Sequence, residues 1–342
     1  MINGSLRPWG KPQWLFGMPS LRQKDWFLIG CVSTQDRCLS TIRHKNVSFN
    51  ISYAAFLDIV DEKSQFSFES ALRRSGSKSS LMNAMHAGTY EVQEFSLFEP
   101  FKRLKFLVDT WTSNPLAENV ILDVSAMPEK FFFPIIRWLL ESVQIKNIVI
   151  TYMLPERYTH EDLAYDARDA GQLHTFTYSG PQPEPTIQNV IVGVGFLPFS
   201  LPDWLKKTYK DTNTVKVTLM LPFPSAPSNV RKGWEFVRRI ETNVKLADDR
   251  QILRVDANDL SACFDRIQTV TNAGKTATVF APFGPKAHSV AMCLQAIKMK
   301  AEVYYTQPTF YHPKYSTGIK MDGTVPAGFA YAIRTNGHDL YE

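Results

Sequence analysis

Apolar positions along this chain fall into short β-branched or aromatic runs, separated by longer stretches with helical spacing. In the first half the runs are WFLIGCV (26–32), VSFNIS (47–52), EVQEFSLF (91–98), NVILDV (119–124) and NIVITYML (147–154). Their length and flanking turn residues predict strands. Helical spacing covers 68–86, 100–114 and 128–143, and proline opens the last two. Its missing N–H loses nothing in a first helical turn. After 189 the alternation resumes, with strands predicted at 189–196, 215–223, 251–257, 276–282 and 302–308. Helices fit 227–244, 260–274 and 285–299, and 328–342 predicts a closing strand and a tail.

Strands that alternate with helices in this way predict mainly parallel sheets covered on both faces. The expected fold class is α/β, Rossmann-like, with doubly wound sheets in two β-α-β-rich halves. SGPQPEPTIQN (179–189) holds three prolines and almost no apolar residue, which predicts a linker. The expected halves are then 1–178 and 190–342.

One signature occurs twice. Tyr152, Pro155 and Tyr158 follow one strand, and Tyr305, Pro308 and Tyr311 follow another. Upstream of each stands a strand, a short turn with Pro and Lys, and a helix. A right-handed β-α-β crossover places each Pro-Lys turn at the carboxyl end of a strand. Open α/β sheets bind ligands at that edge.

Charge and composition narrow the partners. The net charge of +5 is spread along the chain with no block of like charges, so there is no strong signal for nucleic acid. No apolar run reaches the roughly 20 residues of a membrane span, and the N-terminus lacks a signal-peptide core. Cys31, Cys38, Cys263 and Cys293 have no metal-ligand spacing and read as reduced thiols of a cytoplasmic protein. Phosphate-loop, zinc-protease and nucleophile-elbow motifs are absent, so neither a metal nor a cofactor is expected.

The candidate chemistry therefore sits in the two turns. In LDVSAMPEK, Asp123 and Ser125 end a strand and Lys130 begins a helix, a combination suited to phosphate or carboxylate. In APFGPKAHSV, Gly284 permits close backbone approach, while Lys286, His288 and Ser289 open the next helix. A cation there opposes the helix dipole, which hints at an anionic ligand. Tyr158 and Tyr311 offer rings for stacking on a base. Plain structural roles stand beside each of these: Ser125 as a cap, Asp123 neutralising Lys130, Lys286 facing solvent, the tyrosines packing under the sheet edge.

With Gly284, Lys286 and Tyr304 or Tyr305, PFGPKAHSVAMCLQA…EVYY resembles the CRISPR-associated Rossmann-fold (CARF) domains and their relatives in prokaryotic defence proteins. The turn at Asp123, Ser125 and Lys130 resembles the first ligand loop of that family. Pro285 stands where the family has Gly or Thr. The resemblance implies a dimeric or partner-bound nucleotide sensor in a bacterial defence or regulatory system. Two further readings are a nucleotide-processing hydrolase, with His288 or Asp123 as acid or base, and a non-catalytic adaptor.

Overall fold

The computed structural model describes residues 7–42, 49–86, 88–159, 163–165, 171–176, 186–208, 215–224, 227–243 and 251–342. The chain forms two compact units, one of residues 1–166 with 308–342 and one of residues 167–307. The end of the chain thus returns to the first unit, whereas hydrophobic pattern alone grouped it with the second. Of the expected linker, 179–185 lies outside the described residues.

The first unit is built on five parallel strands, β1 (Asp25–Val32), β2 (Asn50–Val60), β3 (Tyr90–Ser96), β4 (Asn119–Asp123) and β5 (Asn147–Met153). They lie in the order β3-β2-β1-β4-β5. The C-terminal strand Gly328–Thr335 joins β5 antiparallel. β1 and β5 are buried almost throughout, which is why they read as unbroken apolar runs. Helices α1 (Ser67–Ala84), α2 (Phe101–Thr112) and α3 (Glu129–Glu141) carry the crossovers after β2, β3 and β4.

α3 buries Phe131, Phe132, Phe133, Ile135, Ile136 and Leu139, so its apolar surface runs nearly all round the helix. Each such side chain stabilises the fold by about 1.5–3 kcal/mol. β2 extends well past the run predicted at 47–52. Ala54, Ala55 and Asp58 dilute the β-branched signal there, yet all three are buried. The Asp58 carboxylate is paired by Arg74 at 2.9 Å and by Lys78, both on α1.

The second unit has the same strand order. β6 (Asn189–Gly193), β7 (Lys216–Pro222), β8 (Gln251–Val255), β9 (Thr278–Pro282) and β10 (Glu302–Tyr305) are all parallel and lie as β8-β7-β6-β9-β10. The crossovers are α4 (Leu201–Thr208), α5 (Pro227–Asn243), α6 (Leu260–Val270) and α7 (Lys286–Met299). α7 is buried from Ala287 to Ala296 without a polar stripe. The duplicated tyrosine signature now has a topological address: Tyr152 and Tyr305 lie in β5 and β10, the fifth parallel strand of each unit. Among the described residues no helix is long and apolar enough to cross a membrane.

Candidate functional site

In a β3-β2-β1-β4-β5 sheet the strand order reverses between β1 and β4, and the carboxyl ends of those two strands flank the natural ligand crevice. The first unit places a compact polar group there. Asp123, the last residue of β4, is 4% exposed. It accepts the Ser125 N–H at 2.8 Å and the Thr41 hydroxyl. The Thr41 hydroxyl also lies 3.1 Å from that of Thr151 on β5. Ser125 Oγ accepts the Met153 N–H at 2.8 Å, so the turn after β4 is fastened to the end of β5. Burial pushes the Asp123 carboxyl upward, and its bonds to Ser125 and Thr41, together with the charge of Arg37, oppose that shift.

Beside this group lies Arg37, in the short helical turn Asp36–Leu39 that follows β1. Arg37 is 3% exposed. Its Nε donates to Gln35 Oε1 at 3.0 Å and its Nη1 to the Met153 carbonyl at 3.2 Å. The guanidinium stands over the rings of Tyr152 (5.5 Å) and Tyr158 (5.9 Å). Every one of those acceptors is neutral, and among the described residues Arg37 makes no direct ion pair, although its charge is felt at the buried Asp123 carboxyl. A guanidinium keeps its charge when buried, and a buried cation without a carboxylate is costly.

Tyrosines close the outer side. The Tyr152 and Tyr158 hydroxyls are 3.1 Å apart, and the Tyr158 ring meets that of Tyr315 edge-on at 6.0 Å. Burial, together with neighbouring phenols, pushes Tyr158 well above the usual phenol range, and burial raises Tyr315 as well. Both stay protonated at neutral pH, so they present O–H donors.

The expected residues divide as follows. Asp123, Ser125 and Tyr158 fall within this one cluster. Tyr311 lies at its margin, its ring 6.1 Å from that of Tyr315 and its N–H donating to Asp61 at 3.1 Å. Lys130 points elsewhere: its Nζ donates to the Leu97 carbonyl at 2.9 Å and lies over the rings of Phe98, Phe101 and Phe131. Gly284, Lys286, His288 and Ser289 belong to the second unit. There the loops after β6 and β9 meet backbone to backbone. A Cβ on Gly193 would lie 3.0 Å from the Gly284 nitrogen, and one on Gly195 would lie 1.7 Å from the Phe283 carbonyl oxygen. Glycine at 193, 195 and 284 serves that close approach.

His288 is fully buried, its Nε2 2.9 Å from the Asp256 carbonyl, and burial lowers its pKa. The neutral ring donates from Nε2 to that carbonyl, fastening α7 to the loop after β8. Ser289 is likewise buried, its hydroxyl 3.5 Å from the Gly284 carbonyl. Among the described residues no group of His, Cys, Asp and Glu could hold a metal ion.

No family model matches this chain. A search of curated proteins finds no match either. The case for function therefore rests on the chemistry of the cluster itself. Sequence reasoning overlooked Arg37 and Gln35, although STQDR follows the first strand directly, where the first crossover turn of such a sheet falls. Their partners come from positions 152, 153, 158 and 316, so spacing carries no trace of the association.

Asp61 ties the Tyr311 segment to the end of β2, and its carboxyl is pushed up to about 6 by burial, against the Tyr311 N–H and the charge of Arg74. A carboxyl that binds its proton more tightly when folded favours folding below about pH 4, and that contribution is lost as pH rises through 6. The loss is of order 2 kcal/mol. Asp61→Asn, whose side-chain oxygen can still accept the Tyr311 N–H, should therefore flatten the stability profile between pH 4 and 7. Urea unfolding of both proteins at several pH values measures this; parallel profiles would remove the role given to Asp61.

Proposed function

We propose that the protein binds a nucleotide, or another phosphorylated small molecule, at the carboxyl edge of its first sheet, and that each unit is a Rossmann-like domain. The observation that carries this reading is Arg37, a buried guanidinium whose hydrogen-bond acceptors are all neutral, in the turn after β1 where strand order reverses. The Arg37 fork supplies donors of the kind a phosphoryl group needs. The tyrosine rings suit a base. The resemblance to CARF domains extends the proposal to a nucleotide-sensing component of a bacterial defence or regulatory system, acting as a dimer or with a protein partner.

Lys130 is not needed in this scheme, because its ammonium already serves the Leu97 carbonyl and three aromatic rings. His288 packs α7 and is given no acid–base role.

The test is differential scanning fluorimetry against inorganic phosphate, nucleosides, mono-, di- and triphosphates, and linear and cyclic oligonucleotides. Ligand at 100 times its Kd stabilises the folded protein by about 2.7 kcal/mol. Phosphorylated compounds should raise the melting temperature and nucleosides should not. No shift with any phosphorylated compound, or equal shifts with nucleosides, would refute the proposal.

A further inference from the structure

Tyr158 and Tyr315 reach the Arg37 cluster on a two-strand ladder, Arg157–Tyr158 against Ser316–Thr317. This ladder is joined to the Arg37 cluster through the Tyr158 hydroxyl and ring and through bonds to Gln35 and Asp36. Thr159 N–H donates to the Tyr315 carbonyl at 3.2 Å, Ser316 Oγ to Gln35 Oε1 at 2.8 Å, and Gly318 N–H to Asp36 Oδ2 at 2.8 Å. A second ladder, Ala164–Tyr165 against Phe310–Tyr311, is packed on aromatic rings outside that cluster. There Tyr165 and Phe310 stack at 5.1 Å, and Phe66 packs on Tyr165, Phe310 and His312. Tyr311 N–H is bonded to Asp61, and Glu62 N–H donates to the Thr309 carbonyl.

Taking Arg37 as the anion site, we propose that the first ladder is a clasp that a bound anion displaces, hinged at the aromatic ladder. Three facts converge on this. In the described structure Arg37 is 3% exposed, and the half-buried Tyr158 and Tyr315 lie beside it. Gln35 Oε1 accepts from both Arg37 and Ser316, so an anion that draws the guanidinium away also weakens the tie holding the clasp. The clasp and hinge strands lie on the two stretches by which the chain leaves the first unit and re-enters it.

The inference is tested by locking the ladder. Arg157 and Thr317 are directly opposed. They share the hydrogen-bonded type of register with the Thr159–Tyr315 pair, for which Cα atoms lie about 5.5 Å apart. A disulfide spans that distance, and Cys31, Cys38, Cys263 and Cys293 are buried, leaving the new pair to oxidise selectively. Calorimetry with ADP and with inorganic phosphate is run on Arg157→Cys/Thr317→Cys, oxidised and reduced. The reduced protein should bind like wild type and the oxidised one at least ~10-fold more weakly, with recovery on adding reductant. Equal binding by the oxidised form overturns the clasp and leaves the anion site standing. Failure of wild type to bind either probe overturns both.

Hydrogen exchange on the wild type gives an independent reading that needs no variant. The Thr159 and Gly318 amides should exchange faster with ADP bound. Unchanged or slower exchange contradicts the clasp.

Discussion

Arg37→Met should abolish nucleotide binding, by ~100-fold or more, while leaving the protein as stable as wild type or slightly more so. Each hydrogen bond from a charged donor contributes about 1.5–3 kcal/mol, and an Arg fork gives two to one phosphoryl group. Loss of that pair alone accounts for the expected drop. The stability half of the prediction is the sharper one. Replacing a buried ion by an apolar side chain of similar length is commonly neutral or stabilising by about 1–4 kcal/mol. Against this stands the loss of the bonds to Gln35 and to the Met153 carbonyl. Urea unfolding and titration calorimetry on the same preparation separate the two outcomes. If Arg37 is instead a strut holding the end of β5, the variant will lose several kcal/mol of stability. Lys at the same position should not restore binding, because it offers a point charge in place of a planar fork.

The largest expected loss of stability lies at Arg334. Arg334→Ala should cost about 3–5 kcal/mol, the range for breaking a buried charged pair by removing one partner. Arg334 is 7% exposed and sits beside a register shift in the C-terminal strand. Its Nη1 donates to the Ser142 carbonyl at 2.8 Å and its Nη2 to the Leu140 carbonyl at 2.6 Å. Nε and Nη2 also reach the Asp339 carboxylate, at 2.5 and 3.0 Å. The last carbonyls of a helix have no partner within it, and no glycine ends α3, since Ser142 caps it in an extended conformation. The guanidinium does that work from the neighbouring strand. Urea unfolding of Arg334→Ala and Asp339→Ala, singly and together, measures the coupling. A loss under about 1 kcal/mol for Arg334→Ala would show that the carbonyls find water instead.

Much of the architecture was legible because buried parallel strands advertise themselves. NIVITYM and TVFAP are apolar on both faces, and their runs in the sequence mark β5 and β9 within a residue or two. The repeated tyrosine signature was a true topological marker, yet the two copies do different things. Tyr152 meets Arg37 and Tyr158, whereas Tyr305 donates to Gln307 at 3.1 Å. Equivalent position in two sheets therefore fixed no common chemistry.

Three features were hidden for physical reasons. Asp58 and two alanines masked most of β2, because the salt bridges that permit a buried carboxylate come from α1. The C-terminal strand could not be assigned to the first sheet, since any apolar strand of that length pairs equally well on paper. Lys130 looked free to hold an anion, because nothing in PEK shows that a carbonyl and three aromatic rings lie within its reach. Of the cluster, the turn at Asp123 and Ser125 was visible and Arg37 was not.

The most direct measurement is a crystal structure grown with whichever nucleotide gives the largest thermal shift. A phosphoryl oxygen should lie about 2.7–2.9 Å from the Arg37 guanidinium, with the Tyr158 ring moved from its present place. A nucleotide bound elsewhere, with Arg37 still resting on Tyr152 and Tyr158, would contradict the account.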